Sequence, residues 1–172
     1  MIATLNSLKG ILKDYPWAIF GSIAIMIHNN GEHRDLSSSD IDIIVEGDIG
    51  KIRKKIEDDF KRNRIDLLIR TRNGRWRGYA KINGMDIEMM FTVGEKSIDL
   101  ADGNFKFNKI ETKIFKNEAY PVVDIQSLFN SKKRHLESIN KTLVADPTNV
   151  KMKKKRENIM KDIDVIDKIL LK

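Results

Sequence analysis

Two aspartates lie within a short run of isoleucine and valine, and no other feature of the sequence constrains the fold as strongly. The run reads SSSDIDIIV and carries Asp40 and Asp42. Isoleucine and valine favour a strand, in which side chains two residues apart point to the same face. Two carboxylates held that close repel, and each raises the pKa of the other unless a cation lies between them. The run therefore predicts either a strand edge where both acids meet water, or a cation site.

The spacing of apolar residues predicts strands and helices in alternation, followed by two helices. Asn83-Gly84 separates two alternating runs, Tyr79–Ile82 and Met85–Phe91, and predicts a tight hairpin because both residues tolerate positive φ. Residues 94–121 are expected to be irregular, with short strands at NFKF and ETKIF. Helices are predicted over residues 5–12, 22–30, 49–60, 128–143 and 159–170, and strands over residues 17–20, 40–47 and 64–71. The expected fold class is α/β (α+β), a small mixed sheet flanked by helices, with residues 1–120 as the core and residues 121–172 as a helical segment packed on it.

Composition narrows the class of protein. No apolar run approaches 18 residues, so no membrane span is expected, and the N-terminus lacks the pattern of a secretory signal. Cysteine is absent, which excludes disulfides and thiolate metal sites and favours a cytoplasmic protein. Residues 1–102 carry 16 Lys/Arg and 16 Asp/Glu, whereas residues 103–172 carry 16 and 9, so the basic excess lies in the C-terminal part. That asymmetry suggests an anionic partner, although a solvated basic helix has the same composition.

Three motifs supply the groups that a phosphoryl-transfer site requires. Gly21-Ser22 follows a predicted strand and opens a helix, where backbone N–H groups and a hydroxyl can reach a phosphate. Asp40 and Asp42 lie on a second strand, and the hairpin arm adds a third acid. Three carboxylates on neighbouring strands can hold two Mg²⁺ ions about 3.5–4 Å apart. Asp86 and Glu88 both remain candidates for the third acid, with Glu88 preferred.

These motifs resemble the nucleotidyltransferase superfamily, the DNA polymerase beta-like fold. The matching segments are Phe20-Gly21-Ser22, Asp40-Ile41-Asp42-Ile43 and Ile87-Glu88-Met89. The spacing is most similar to the abortive-infection toxin-type nucleotidyltransferases, in which an arginine precedes the paired aspartates, here Arg34. In the same group a lysine early in the C-terminal helical pair and a Lys-Asp near its end face the triphosphate. The positions that match are Lys132, Lys161 and Asp162.

The resemblance implies transfer of a nucleoside monophosphate from an NTP such as ATP to an acceptor, with release of pyrophosphate. Asp40, Asp42 and Glu88 would bind two Mg²⁺ or Mn²⁺ ions, with Asp86 as the alternative third ligand. The residues implied in nucleotide binding are Gly21, Ser22, Lys132, Lys161 and Asp162. The acceptor is open: RNA, a protein and a small molecule all fit the pattern.

Two other functions stay open at this stage. The chain could be a catalytically silent partner of the same fold, such as an antitoxin-like subunit of a toxin–antitoxin pair. It could also be a nucleic-acid-binding protein that uses its basic C-terminal half. A separate basic cluster with one aromatic residue, Arg70, Arg72, Arg75, Trp76 and Arg77, could hold a base or an RNA strand, although such loops are more often solvated.

Overall fold

The computed structural model describes residues 1–36, 39–72, 74–92, 97–100, 103–107 and 109–172. Its helices are α1 (Ile2–Ile11), α2 (Gly21–His28), α3 (Ile49–Arg62), α4 (Ile125–Ala145) and α5 (Val150–Leu170). Its strands are β1 (Trp17–Phe20), β2 (Ile41–Glu46), β3 (Leu67–Arg72), β4 (Arg75–Ile82), β5 (Met85–Thr92), β6 (Ser97–Leu100), β7 (Gly103–Lys106), β8 (Ile110–Phe115) and β9 (Glu118–Val123). Among the described residues, no helix is both long and apolar enough to cross a membrane.

Seven strands form one mixed sheet in the order β3-β4-β5-β2-β1-β9-β8, and β6 and β7 pair separately as a hairpin. Strands β2 and β5 run parallel, as do β1 and β9, and the other neighbours in the sheet are antiparallel. The mixed sheet with its flanking helices and C-terminal helical pair confirms the predicted fold class.

Local sequence signals explain the elements that surround the site. Asn83 and Gly84 both have positive φ, 49° and 81°, as a two-residue hairpin with the right-handed twist of its strands requires. The side chains of Asp48 and Asp124 accept hydrogen bonds from backbone N–H groups in the first turns of α3 and α4, so each caps its helix. The central strands β1 and β2 are apolar on both faces wherever they cross the core, and Asp42 is the exception on β2.

The short strands predicted at NFKF and ETKIF are confirmed as β7 and β8, but the prediction of irregular structure for the rest of residues 94–121 is wrong where β6 and the start of β9 lie. Strands β8 and β9 complete the main sheet, and only residues 94–96, 101–102 and 108 of that segment lie outside the described residues. Strand β9 contains Pro121, which cannot donate to a ladder, and its pairing with β1 is confined to Ile19 opposite Val122. The turn before β9 places Lys116 and Asn117 at positive φ with no glycine to signal it.

The two C-terminal helices pack against each other and against α2. Helix α4 buries Leu128 and Ile139, and α5 buries Ile159 and Ile166, as the apolar stripes predict. Helix α5 also buries an acid, Asp162, towards the start of α2. The division after residue 120 falls inside β9, and the separation of a core from an appended helical segment stays a prediction.

Candidate active site

Three carboxylates converge where β2 lies beside β5. Asp40 directly precedes β2, Asp42 is on β2, and Glu88 is on β5, directly opposite Asp42 in the parallel register. One carboxylate oxygen from each of the three lies within 4.8 Å of the others. Asp86, two residues before Glu88, is exposed and pairs with Lys81 at 3.4 Å. The fold therefore brings Glu88 rather than Asp86 to the paired aspartates.

Electrostatic crowding at this cluster falls mainly on Asp42. Burial, together with the nearby Asp40 and Glu88 carboxylates, raises the pKa of Asp42 from 3.8 to about 7, although Lys132 and Arg77 oppose the shift. Without a bound cation, the three carboxylates therefore do not all ionise readily. A cluster whose acids favour a proton is also one that would favour a bound cation.

Gly21 sits against this cluster at the end of β1. Its φ is +71°, which favours glycine, and a Cβ atom there would lie 2.4 Å from Asp42 Oδ2. Phe20 pairs with Asp42 across the antiparallel β1–β2 ladder, which explains the close approach of the next residue. Glycine at this position therefore gives the chain room to turn into α2 beside the carboxylates.

A second cluster of charged groups lies at the start of α2, on the side of the C-terminal helices. The Ser22 hydroxyl donates to Asp162 Oδ2 at 2.7 Å and accepts from Arg34 Nη2 at 3.1 Å and Lys132 Nζ at 3.2 Å. Asp162 forms ion pairs with Lys132 at 2.6 Å and with Arg34 at 3.0 Å, and its side chain is 1% exposed. Burial alone would raise the pKa of Asp162, but Lys132, Ser22 and Arg34 together lower it. This second cluster is therefore an ionised network with two cations and one anion.

His33 closes the second cluster from the loop before β2. Its side chain is 1% exposed and its Nε2 lies 3.3 Å from Asp162 Oδ1. The Arg34 backbone N–H donates to His33 Nδ1 at 2.7 Å, so the ring proton belongs on Nε2, facing the carboxylate. Burial lowers the pKa of His33 more than Asp162 raises it, so the ring is neutral and the network keeps a net positive charge.

Lys132 connects the two clusters. Its ammonium contacts Ser22 and Asp162, and the same charge lowers the pKa of Asp42. The lysine occupies the apolar stripe of α4 with its side chain 13% exposed, so its stem is buried and its charge emerges at the site. The acids and the cations thus line one continuous region.

Most of the residues singled out from the sequence meet in this region, but not all of them. Lys161 is exposed on α5 and takes no part in the contacts that define the second cluster, so its role stays a prediction. The sequence places Arg77 in a basic cluster separate from the acids, but in the structure its Nε lies 3.8 Å from Glu88, at the edge of the acid cluster. No periodic pattern in the sequence indicates that His33 is buried, because it lies in a loop. Its position before the paired aspartates was the only hint.

The donor set fits a hard divalent cation. Carboxylate oxygens are the ligands that Mg²⁺ and Mn²⁺ prefer, and the spread of the three acids suits one or two such ions. The raised pKa of Asp42, caused first by burial and then by its neighbouring carboxylates, indicates that Lys132 and Arg77 only partly offset the charge of the acids. The acidic triad could therefore bind a divalent metal.

Comparison with known proteins supports the fold alone. No family model matches the sequence, and no curated protein matches it. Among solved structures, a candidate nucleotidyltransferase from Thermotoga maritima, TM1012, is 17% identical over 84% of this chain and 89% of its own, with a TM-score of 0.58. ANT(2")-Ia in complex with adenylyl-2"-tobramycin is 12% identical over 99% of this chain and 91% of its own, with a TM-score of 0.54.

A third structure shows a similar likeness. An antigenic nucleotidyltransferase-like protein from Paracoccidioides brasiliensis is 12% identical over 96% of this chain and 73% of its own, with a TM-score of 0.50. The second and third matches cover nearly the whole chain, including the C-terminal helices. The chain therefore has the nucleotidyltransferase fold.

Proposed function

We propose that this protein is a metal-dependent nucleotidyltransferase that moves a nucleoside monophosphate from an NTP to an acceptor hydroxyl. The observation that supports the proposal is the convergence of Asp40, Asp42 and Glu88 within 4.8 Å, beside the glycine turn that opens α2. A structural role for the three acids would require cations that balance them fully, whereas Lys132 and Arg77 oppose the pKa shift of Asp42 only in part. The raised pKa of Asp42 instead fits a site completed by a ligand.

In this proposal Asp40, Asp42 and Glu88 hold two divalent cations, Mg²⁺ or Mn²⁺. When bound, these cations would supply the positive charge that offsets the triphosphate and the departing pyrophosphate. Asp42, opposite Glu88 in the sheet, is the central ligand because it touches both the glycine turn and the neighbouring acids. Asp86 is less preferred as the third ligand because its carboxylate is exposed beside Lys81 and is not part of the cluster formed by the other three acids.

The nucleotide would lie with its β- and γ-phosphates at the second cluster. Gly21 lets the chain turn into α2 beside the acids. The Ser22 hydroxyl, which donates to Asp162 in the structure, would contact a phosphate by exchanging that partner. Lys132 and Arg34 supply positive charge there, and Asp162 fixes both cations in place. Lys161 remains a further candidate contact from the solvent side of α5.

The transfer step balances as a substitution at the α-phosphorus. The acceptor oxygen forms a bond to that phosphorus while the bond to the bridging oxygen of the β-phosphate breaks, and pyrophosphate leaves with the bonding electrons. The acceptor hydroxyl gives its proton to a carboxylate of the triad, and Glu88 is the one we assign. The residues of the chain thus orient three groups: the hydroxyl, the phosphorus and the leaving oxygen.

The test compares two aspartate-to-asparagine variants. Asp42→Asn should abolish release of pyrophosphate from labelled NTPs and should lose Mg²⁺ binding in calorimetry, a readout that needs no acceptor. Asp86→Asn, an equal loss of charge two residues from Glu88, should keep both. Wild-type metal binding and turnover in Asp42→Asn, or an equal loss in Asp86→Asn, would refute the proposal.

A further inference from the structure

Four arginines face one another across the hairpin of β3 and β4. In the antiparallel register Arg70 lies opposite Arg77, and Arg72 lies opposite Arg75. Directly opposite residues project from the same face of a sheet, as do residues two apart on one strand. All four guanidinium groups therefore belong to one face, which we call the arginine face.

The arginine face is continuous with the acid cluster. Tyr79, on the same face of β4 as Arg75 and Arg77, lies opposite Glu88 on β5, which in turn lies opposite Asp42 on β2. Arg77 marks the junction, because its Nε lies 3.8 Å from Glu88 and its charge lowers the pKa of Asp42. A molecule bound along this face would reach the triad at one end.

Placing like charges directly opposite each other destabilises a sheet, by roughly 0.2–1 kcal/mol for a pair. Here two such pairs are consecutive, and Arg70, Arg72 and Arg75 are exposed. The Arg70 guanidinium lies 4.7 Å over the ring of Tyr79, an uncharged partner that holds it along the face. An anion along the face would convert this repulsion into attraction.

The aromatic residue of the same segment does not share this face. Trp76 lies opposite Thr71 on the other side of the sheet, where the guanidinium of Arg53 on α3 lies 5.5 Å from its ring. Trp76 and the arginines are neighbours in sequence, but side chains alternate between the two faces of a strand, so Trp76 lies on the opposite face. Recognition at the arginine face would come from phosphate contacts rather than from stacking on tryptophan.

We propose that the arginine face binds the phosphodiester backbone of a single-stranded nucleic acid, whose end is the acceptor. The inference rests on the proposed nucleotidyl transfer and adds the class of acceptor to it. A planar guanidinium group can bind two oxygens of one phosphate at the same time. A row of guanidinium groups therefore fits the successive phosphates of a nucleic acid better than it fits a single anion. An amine-rich cationic acceptor would be repelled at the same place.

The binding test uses the full chain in EDTA, so that no transfer can occur, with a fluorescent oligouridylate of about eight nucleotides. The variant Arg70→Gln/Arg72→Gln removes two charges of the arginine face that lie outside the proposed catalytic residues. The control Lys151→Gln/Lys154→Gln removes two exposed charges from α5. The conservative variant Arg70→Lys/Arg72→Lys keeps the charge.

Loss of two phosphate contacts should weaken binding by about 20-fold at about 0.1 M salt and lower the salt-dependence slope by about 1.4. The lysine control should bind like the wild type, and the conservative variant should retain most of the affinity. Thermal denaturation of each variant confirms that the fold is kept. An equal loss in the lysine control, or no detectable binding by the wild type, would overturn the inference.

A second experiment separates this inference from the proposed reaction. With Mg²⁺ and labelled NTPs present, oligoribonucleotide, oligodeoxyribonucleotide, a protein extract and tobramycin are offered as acceptors. Label on an oligonucleotide, lost in the Arg70→Gln/Arg72→Gln variant, supports the acceptor class, and label on protein or tobramycin overturns it. If nothing is labelled but oligonucleotide binding still depends on Arg70 and Arg72, the proposed reaction fails while the arginine face stands as a nucleic-acid surface.

Discussion

Replacing Asp42 by asparagine should stabilise the metal-free protein, and the gain should depend on pH. The carboxylate has a pKa of 3.8 in an unfolded chain and about 7 in the folded one, because burial, Asp40 and Glu88 all disfavour its charge. The folded state therefore binds a proton more tightly than the unfolded state does. Stability contributed by that proton is present at low pH and is lost as pH rises from about 4 to about 7.

The magnitude follows from the shift. A rise of about three pKa units corresponds to about 4 kcal/mol at 1.36 kcal/mol per unit, which is the ceiling for a side chain that is only partly buried. Asparagine has a similar shape and carries no charge at any pH. The free energy of unfolding of the asparagine variant should exceed that of the wild type by about 1.5 kcal/mol at pH 5. The difference should grow by about 1.4 kcal/mol for each pH unit and level off above pH 7 at about 4 kcal/mol.

Urea denaturation of both proteins in EDTA, at several values between about pH 5 and pH 8, measures this difference directly. Adding Mg²⁺ at about 100 times its Kd should then stabilise the wild type by about 2.7 kcal/mol and leave the asparagine variant unchanged, so most of the difference of about 4 kcal/mol above pH 7 should disappear. A difference that does not vary with pH would refute the electrostatic reasoning. An equal response of both proteins to Mg²⁺ would refute the assignment of Asp42 as a ligand.

Three further perturbations test other parts of the site. Gly21→Ala should destabilise the fold by about 1–3 kcal/mol and weaken Mg²⁺ binding, because the new Cβ would strain a positive φ and press on Asp42. Denaturation measures the loss of stability and calorimetry the loss of Mg²⁺ binding. An unchanged protein would contradict the close approach of Gly21 to Asp42. Asp162→Asn should cost about 3–5 kcal/mol in denaturation experiments, because Lys132 would lose its buried anion; a small loss would show that the ionised network contributes little. His28, whose pKa burial lowers from 6.5, should cost stability as pH falls below about 6.5. His28→Gln should make that acid limb of the stability curve less steep, with the remainder due to His33, whose pKa burial also lowers; an unchanged slope would contradict the role of His28.

The acid cluster was readable from sequence because each of its parts is local. Asp40 and Asp42 sit in one short strand, and the Asn83-Gly84 turn sets the face on which Glu88 must lie once the arms pair. The remaining uncertainty, whether Asp86 or Glu88 joins the aspartates, depended on the register between β2 and β5. No local signal fixes the register between strands that are far apart in sequence.

The second cluster was harder to foresee for the same reason. Ser22, Lys132 and Asp162 were suggested by resemblance, and their meeting depends on contacts between residues 110 and 140 positions apart. His33 lies in a loop, where no periodicity reveals burial. Strand β9 was missed although its short pairing with β1 tolerates the backbone donor that Pro121 lacks.

The distance in sequence between the two clusters has a consequence for how the site opens and closes. The carboxylates are built from neighbouring strands, whereas the Ser22 hydroxyl is tethered by side chains of α4 and α5. Partial detachment of the C-terminal helices, which requires less free energy than global unfolding, would release that hydroxyl while the acids stay in register. Such a form would hold cations with its carboxylates but would lack the Ser22 anchor for a triphosphate, and hydrogen exchange in α5 would measure how often it occurs.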